Sequence, residues 1–173
     1  MNNKEEMINK ARKRAMDYFK TGMNCAECVF QAIIDLGLVD LPPSIIALAT
    51  GFGGGMGLSG NNCGALSGAI LAVSSIHGRK PLEKGTLEER ISQLNGPEGL
   101  YRLFNQIPNT FQDKFGEVSC AKLLEPFQWH SREQAKFCQN LIGEAAALAT
   151  YWAQVGLEEG YQHPFRRNVG GYK

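Results

Sequence analysis

Five cysteines, Cys25, Cys28, Cys63, Cys120 and Cys138, are the residues whose type and setting could carry chemistry. Their odd number argues against the disulfide framework of a secreted domain and for thiol or metal chemistry in a reducing compartment. Taken singly, each reads as a small buried hydrophobe. Their settings say more. Cys25 follows Asn24, Cys63 follows Asn62 and Cys120 follows Ser119. Asn and Ser are favoured N-cap residues, which predicts all three cysteines at the first position of a helix. Free N–H groups and the helix dipole there favour an anion and lower a thiol's pKa. Cys138 differs, lying within a helix and facing its interior edge. Cys25 and Cys28 form a CxxC whose members share a helical face, so both sulfurs could meet one ion or each other. The pair lacks the βαβ setting of a thioredoxin. Thiolates suit zinc or an iron–sulfur cluster. The gaps of 35, 57 and 18 positions between Cys28, Cys63, Cys120 and Cys138 match neither a zinc ribbon nor a compact ferredoxin run. Any shared site must therefore be assembled from distant elements.

Those elements read as helices. Ile8, Ala11, Ala15, Tyr18 and Phe19 fall on one face of a first helix, with Lys10, Arg12, Lys13 and Arg14 on its solvated side. Asn24-Cys25-Ala26-Glu27, Thr86-Leu87-Glu88-Glu89 and Ser131-Arg132-Glu133-Gln134 have the form of capping boxes. Pro42-Pro43 breaks the chain and Ser44 opens a short apolar helix. After it come the glycine loop Gly51–Gly60 and a helix of small residues, CGALSGAILAVSSIHG. Gly64, Gly68 and Ala72 lie four apart on that helix, a face that lets another backbone approach closely. A further helix carries Leu100, Leu103, Phe104 and Ile107. The last has a stripe of Phe137, Leu141, Ala145, Leu148, Trp152 and Val155. The tail YQHPFRRNVGGYK reads as an extended or frayed arm. The expectation is an all-α fold: one helical domain over residues 1–160, a compact bundle of about six or seven helices, then an extended tail over 161–173.

Twenty of 173 residues are glycine, against a usual share of about 7%. Leu41–Gly78 holds nine of them and not one Asp, Glu, Lys or Arg in 38 residues. Gly55-Met56-Gly57-Leu58-Ser59-Gly60 fits GxGxxG, but no βαβ unit surrounds it, so the glycines are read as a sharp turn bringing Asn62-Cys63 close to neighbouring backbone. Successive N–H groups in such a turn can form an anion nest. Gly53, Gly54, Gly55, Asn62 and Gly64 are thus the candidate cofactor contacts. His77, His130 and His163 are widely spaced and read as structural, His77 as a cap for its own helix's carbonyls. Trp129 and Trp152 read as core or partner contacts.

NCAECV, the FGGG loop, CGALSGA, the FGEVSC stretch and the late Cys138 together resemble the C-GCAxxG-C-C family, which is described as redox-active and marked by four cysteines and a CGAxxG motif. The motif is Cys63-Gly64-Ala65-Leu66-Ser67-Gly68. By position the four matching cysteines are Cys25, Cys63, Cys120 and Cys138, with Cys28 an extra. The resemblance implies redox chemistry and supplies no substrate.

The leading expectation is a cytoplasmic redox protein in which Cys25, Cys63, Cys120 and Cys138 converge as thiolate ligands of an iron–sulfur cluster for electron transfer. Three helix N-termini would offset the cluster's negative charge. One rival is a metal-free thiol/disulfide couple, Cys25–Cys28 or Cys25–Cys63. A second is a structural-zinc or small-molecule-binding module without turnover. A third is a helical adaptor with inert cysteines. A net charge of +1 speaks against nucleic-acid binding by bulk electrostatics, and no stretch has the roughly 20 apolar residues of a membrane span. The electron donor and acceptor stay open, as does a homo-oligomer.

Overall fold

A computed structural model describes residues 3–79 and 85–173. Among these the chain is helical, with no strand and a single isolated antiparallel bridge between Asn62 and Ser119. Six helices have nine or more residues: α1 (Asn3–Phe19), α2 (Cys25–Ile34), α5 (Gly64–His77), α6 (Leu87–Asn95), α8 (Gln106–Phe115) and α10 (Arg132–Glu159). Short turns fill the connections: a 3₁₀ turn (Pro43–Ile46), α3 (Ala47–Thr50), α4 (Gly53–Met56), α7 (Tyr101–Phe104) and α9 (Cys120–Leu124).

The bundle is built from α1, α2, α5 and α10, each packed on its neighbours. Its core is made largely of alanine: Ala26 and Ala32 from α2, Ala65, Ala69 and Ala72 from α5, Ala145, Ala146, Ala149 and Ala153 from α10. Small side chains bring helix axes close, because interaxial distance follows side-chain size. The expected face on α5 is where α2 seats. A Cβ on Gly68 would lie 2.6 Å from the Ala26 carbonyl oxygen and 2.9 Å from its Cα.

Asn24 and Thr86 form complete capping boxes. At Ser131 the box is only half formed. Ser131 Oγ accepts from the Gln134 N–H at 3.1 Å, but Gln134 Oε1 turns back to the His130 N–H at 2.6 Å. His130 has φ 64°, which swings its N–H into reach. The helix expected through Leu100–Ile107 is two pieces, α7 and α8, meeting at Asn105. His77 does not cap its own helix. Its Nε2 meets the Ala153 carbonyl at 2.8 Å and its Nδ1 the Tyr161 hydroxyl at 3.0 Å, tying α5 to α10 and to the start of the tail.

The tail has no regular structure, yet it is bonded along α7 and α8. Arg102 donates to the His163 carbonyl, Gln106 to that of Pro164, and Asn105 and Asn109 to that of Arg167.

Gly68→Leu should destabilise the protein by about 1–3 kcal/mol, the range for overpacking, since backbone rather than a movable side chain meets the new group. Gly51→Ala is the matched control. Nothing stands within 4 Å of a Cβ there and φ is −69°, so urea denaturation should show no loss, or a gain of about 0.4–1 kcal/mol.

Candidate functional site

The glycine loop turns left-handed. Gly54, Gly55, Met56, Gly57 and Leu58 have φ of 62°, 72°, 63°, 63° and 67° in succession. The Leu58, Gly60 and Asn61 N–H groups close the turn on the Gly53, Gly54 and Gly55 carbonyls at 3.1, 3.2 and 3.1 Å. A left-handed turn costs an L-residue about 1–2 kcal/mol, and glycine escapes that penalty. The glycine count of the loop thus has a conformational cause.

The turn delivers residues 60–63 to residues 118–121. The Cys63 N–H donates to Val118 O at 2.8 Å, Cys120 N–H to Asn61 O at 2.7 Å and Ala121 N–H to Gly60 O at 2.9 Å. Glu117 sets the other strand of this staple, its carboxylate accepting the Val118 and Ser119 N–H groups at 2.7 and 3.0 Å. Those bonds hold its carboxyl below the usual range. The staple fixes Cys63 and Cys120 side by side. Cys25 is brought in by α2, whose Asn24 cap accepts from Ala26 and Glu27 N–H and donates through Nδ2 to Thr50 O at 3.1 Å. Cys138 enters from α10.

These four cysteines line one cavity with Ala65, Leu123, Leu124, Leu141 and Ile142. Among the described residues no Asp, Glu, Lys or Arg lines it. Its volume is about 10 Å³, the space of about one water. Cys28 is placed elsewhere: it is fully buried and its thiol donates to the Met23 carbonyl at 3.4 Å. The apolar lining residues gave no sign of their role in the sequence, because nothing distinguishes them from core.

The local setting of Cys63 differs from expectation. Asn62 does not cap α5; Cys63 is itself the N-cap residue, and the Asn62 amide donates to Ser67 Oγ at 3.1 Å. Gly53, Gly54, Gly55 and Gly64 do not line the cavity; Gly55 and Gly64 stand behind cysteines, while Gly53 backs onto Asn24 and Gly54 onto Leu58. A Cβ on Gly55 would fall 2.8 Å from Cys120 Cβ, and one on Gly64 2.7 Å from Phe52 O and 3.2 Å from Cys25 Cβ.

The thiol acidity is opposite to the sequence-based expectation. Burial pushes Cys63 and Cys138 up to about 12 and raises Cys25 and Cys120 as well. Neighbouring cysteines push the same way, since each disfavours a second thiolate beside it. Backbone N–H groups face two of the sulfurs: those of Gly54 in the turn and of Cys25 itself at Cys25, and those of Leu66 and Ala65 at Cys63. They favour the thiolate but do not outweigh desolvation in an uncharged pocket.

Among the described residues, no three Cys, His, Asp or Glu side chains stand close enough to hold one metal ion as placed. A tetrahedral zinc with Zn–S bonds near 2.3 Å asks for sulfurs about 3.8 Å apart. A cluster carries its own iron and sulfide between the ligands, so it asks instead for thiols spread around a common space. The four-thiol donor set suits that group by its chemistry, while the space among the sulfurs is that of about one water and must widen to admit it.

A family model described as "Putative redox-active protein (C_GCAxxG_C_C)" matches residues 23–151, three quarters of the chain. Where that name reads GCAxxG, this chain has Cys63-Gly64-Ala65, with a glycine between cysteine and alanine. An uncharacterized protein of Archaeoglobus fulgidus is 27% identical over 147 residues, covering 83% of this chain and 93% of the relative. No solved structure matches. The cysteine spacing, the CGAxxG helix and the family match agree, and the chain belongs to the C_GCAxxG_C_C family.

Proposed function

We propose that the protein is an electron-transfer protein in which Cys25, Cys63, Cys120 and Cys138 act together as the thiolate ligands of an iron–sulfur cluster. The observation that carries this reading is the meeting of four thiols, from α2, the start of α5, α9 and α10, on one uncharged cavity. When bound, such a cluster supplies one-electron redox chemistry. The chain's own part is to hold the sulfurs, keep water out with Leu123, Leu124, Leu141 and Ile142, and present the Gly54, Ala65 and Leu66 N–H groups to ligand sulfurs, where they stabilise negative charge. The raised pKa values support ligation over free thiol exchange. A thiol protonated at neutral pH is a poor nucleophile, whereas a bound cation restores the thiolate.

A second reading, a metal-free couple of Cys25 and Cys63, is supported by one fact: N–H groups face these two sulfurs. Its step is the loss of two protons and two electrons from the thiols, to an electron acceptor, as one S–S bond forms.

Anaerobic reconstitution with iron and sulfide should give visible absorption and bound iron. Cys63→Ser and Cys138→Ser should each abolish both, while Cys28→Ser keeps them. Wild-type protein that gains neither iron nor colour would overturn the cluster reading. Retained colour with a slowly forming Cys25–Cys63 disulfide would demote the couple to a side reaction.

The cluster-free, reduced protein should also lose stability in alkali. Folded Cys63 and Cys138 keep their protons up to about 12, against 9.0 for a free thiol. The unfolded chain releases those protons first, so stability is full below about 9 and falls as pH rises from there towards 12. Urea midpoints across that range should drop less steeply in a Cys63→Ala/Cys138→Ala variant than in wild type.

A further inference from the structure

Cys120 has a second face. Besides lining the thiol cavity, it forms the floor of an open groove of about 500 Å³. Leu124 is likewise shared between the two spaces. The groove is therefore the outer side of the wall that separates the four thiols from solvent.

Its walls are aromatic and apolar on one side and mainly backbone on the other. Phe127 and Trp129 form the first, and the glycine turn with Gly54, Gly60 and Leu58 forms the second. The rims are held open against local preference. Leu58, 71% exposed, sits in the left-handed region, and so does His130, beside the 52% exposed Trp129. His130 packs edge-on against the Trp129 ring, with centroids 5.0 Å apart. Leu58 and Trp129 are thus large apolar side chains left in water along one groove, a surface that suits an apolar ligand. The groove's volume lies in the range of small-molecule sites, about 300–1,000 Å³. Glu125 is the one charged residue lining it, and among the described residues it makes no ion pair.

The geometry points to this groove as the binding site of a flat aromatic ring, neutral or positively charged, seated against Trp129 with its edge at Cys120. Aromatic walls favour a planar π system. Glu125 at the mouth repels an anion and favours a cation held over the indole. The inference builds on the redox reading, since it gives a ring-type electron carrier a seat against Cys120, itself one of the four thiols. Binding of the ring itself needs no metal. A protein that fails to take up iron can still bind it, so the two readings fail separately.

The test is a fluorescence titration of the full chain, reduced and free of iron, with lumiflavin, a neutral flavin ring. Saturable quenching of lumiflavin emission is expected. Trp129→Ala, a change at an exposed side chain, should weaken binding about tenfold through the lost stacking. Leu58→Gly, which removes the rim while relieving its backbone strain, should weaken it too. FMN, the same ring with a phosphate, should bind about fivefold more weakly than lumiflavin, and Glu125→Gln should close that gap. Absence of saturable binding by the wild-type chain, or equal affinity in Trp129→Ala, would overturn the site. FMN binding as tightly as lumiflavin would overturn the exclusion of anions.

Discussion

Burying several thiols together is tolerable only while nothing forces them to ionise, and much of this structure follows from that constraint. A second thiolate in the cavity would repel the first, and among the described residues no cation lines it to offset that charge. The shell is accordingly built of residues that carry no charge, and the uncharged run from Leu41 to Gly78 supplies its glycine turn and helix α5. What polar help the sulfurs receive comes from backbone N–H groups, which stabilise an anion without adding a mobile counter-ion. The same environment that silences the free thiols would strengthen their hold on a cation.

Positioning depends on missing side chains. The left-handed turn, the staple between residues 60–63 and 118–121, and the seating of α2 on α5 each bring backbone where a Cβ would ordinarily stand. Rigid backbone bonds at 2.7–2.9 Å then fix Cys63 against Cys120, so the sulfur positions do not depend on long flexible side chains. Cys138, by contrast, is placed by the packing of the long helix α10 against α2 and α5.

Much of the fold was legible. The capping boxes at Asn24 and Thr86, the stripes on α1 and α10 and the Gly64–Gly68–Ala72 face all follow from periodicity and cap chemistry, which are local properties. The meeting of the four cysteines was legible only as a pattern of residue types, because convergence is a tertiary fact. Three details were not legible. A residue that follows Asn can itself be the cap, as Cys63 is, when the preceding side chain finds another partner, here Ser67. The direction of the thiol shifts depends on burial, which local sequence does not report; dipole effects are worth about 0.3–1 kcal/mol, while desolvation moves a buried group by up to several pKa units. The partners of His77, Ala153 and Tyr161, lie far along the chain, beyond the reach of a local cap argument.

The bridge between Asn62 and Ser119 also closes a long loop of chain. Within that loop α6 contributes no buried residue, so length there can change without disturbing the core. Loop closure is forgiving, at about 0.6 kcal/mol per doubling of length. The segment around α6 is therefore where relatives can diverge, gaining or losing whole turns and acquiring surfaces for different partners, while the Cys63–Cys120 pair keeps its spacing. The architecture separates a part that evolution must hold fixed from a part that it can rewrite.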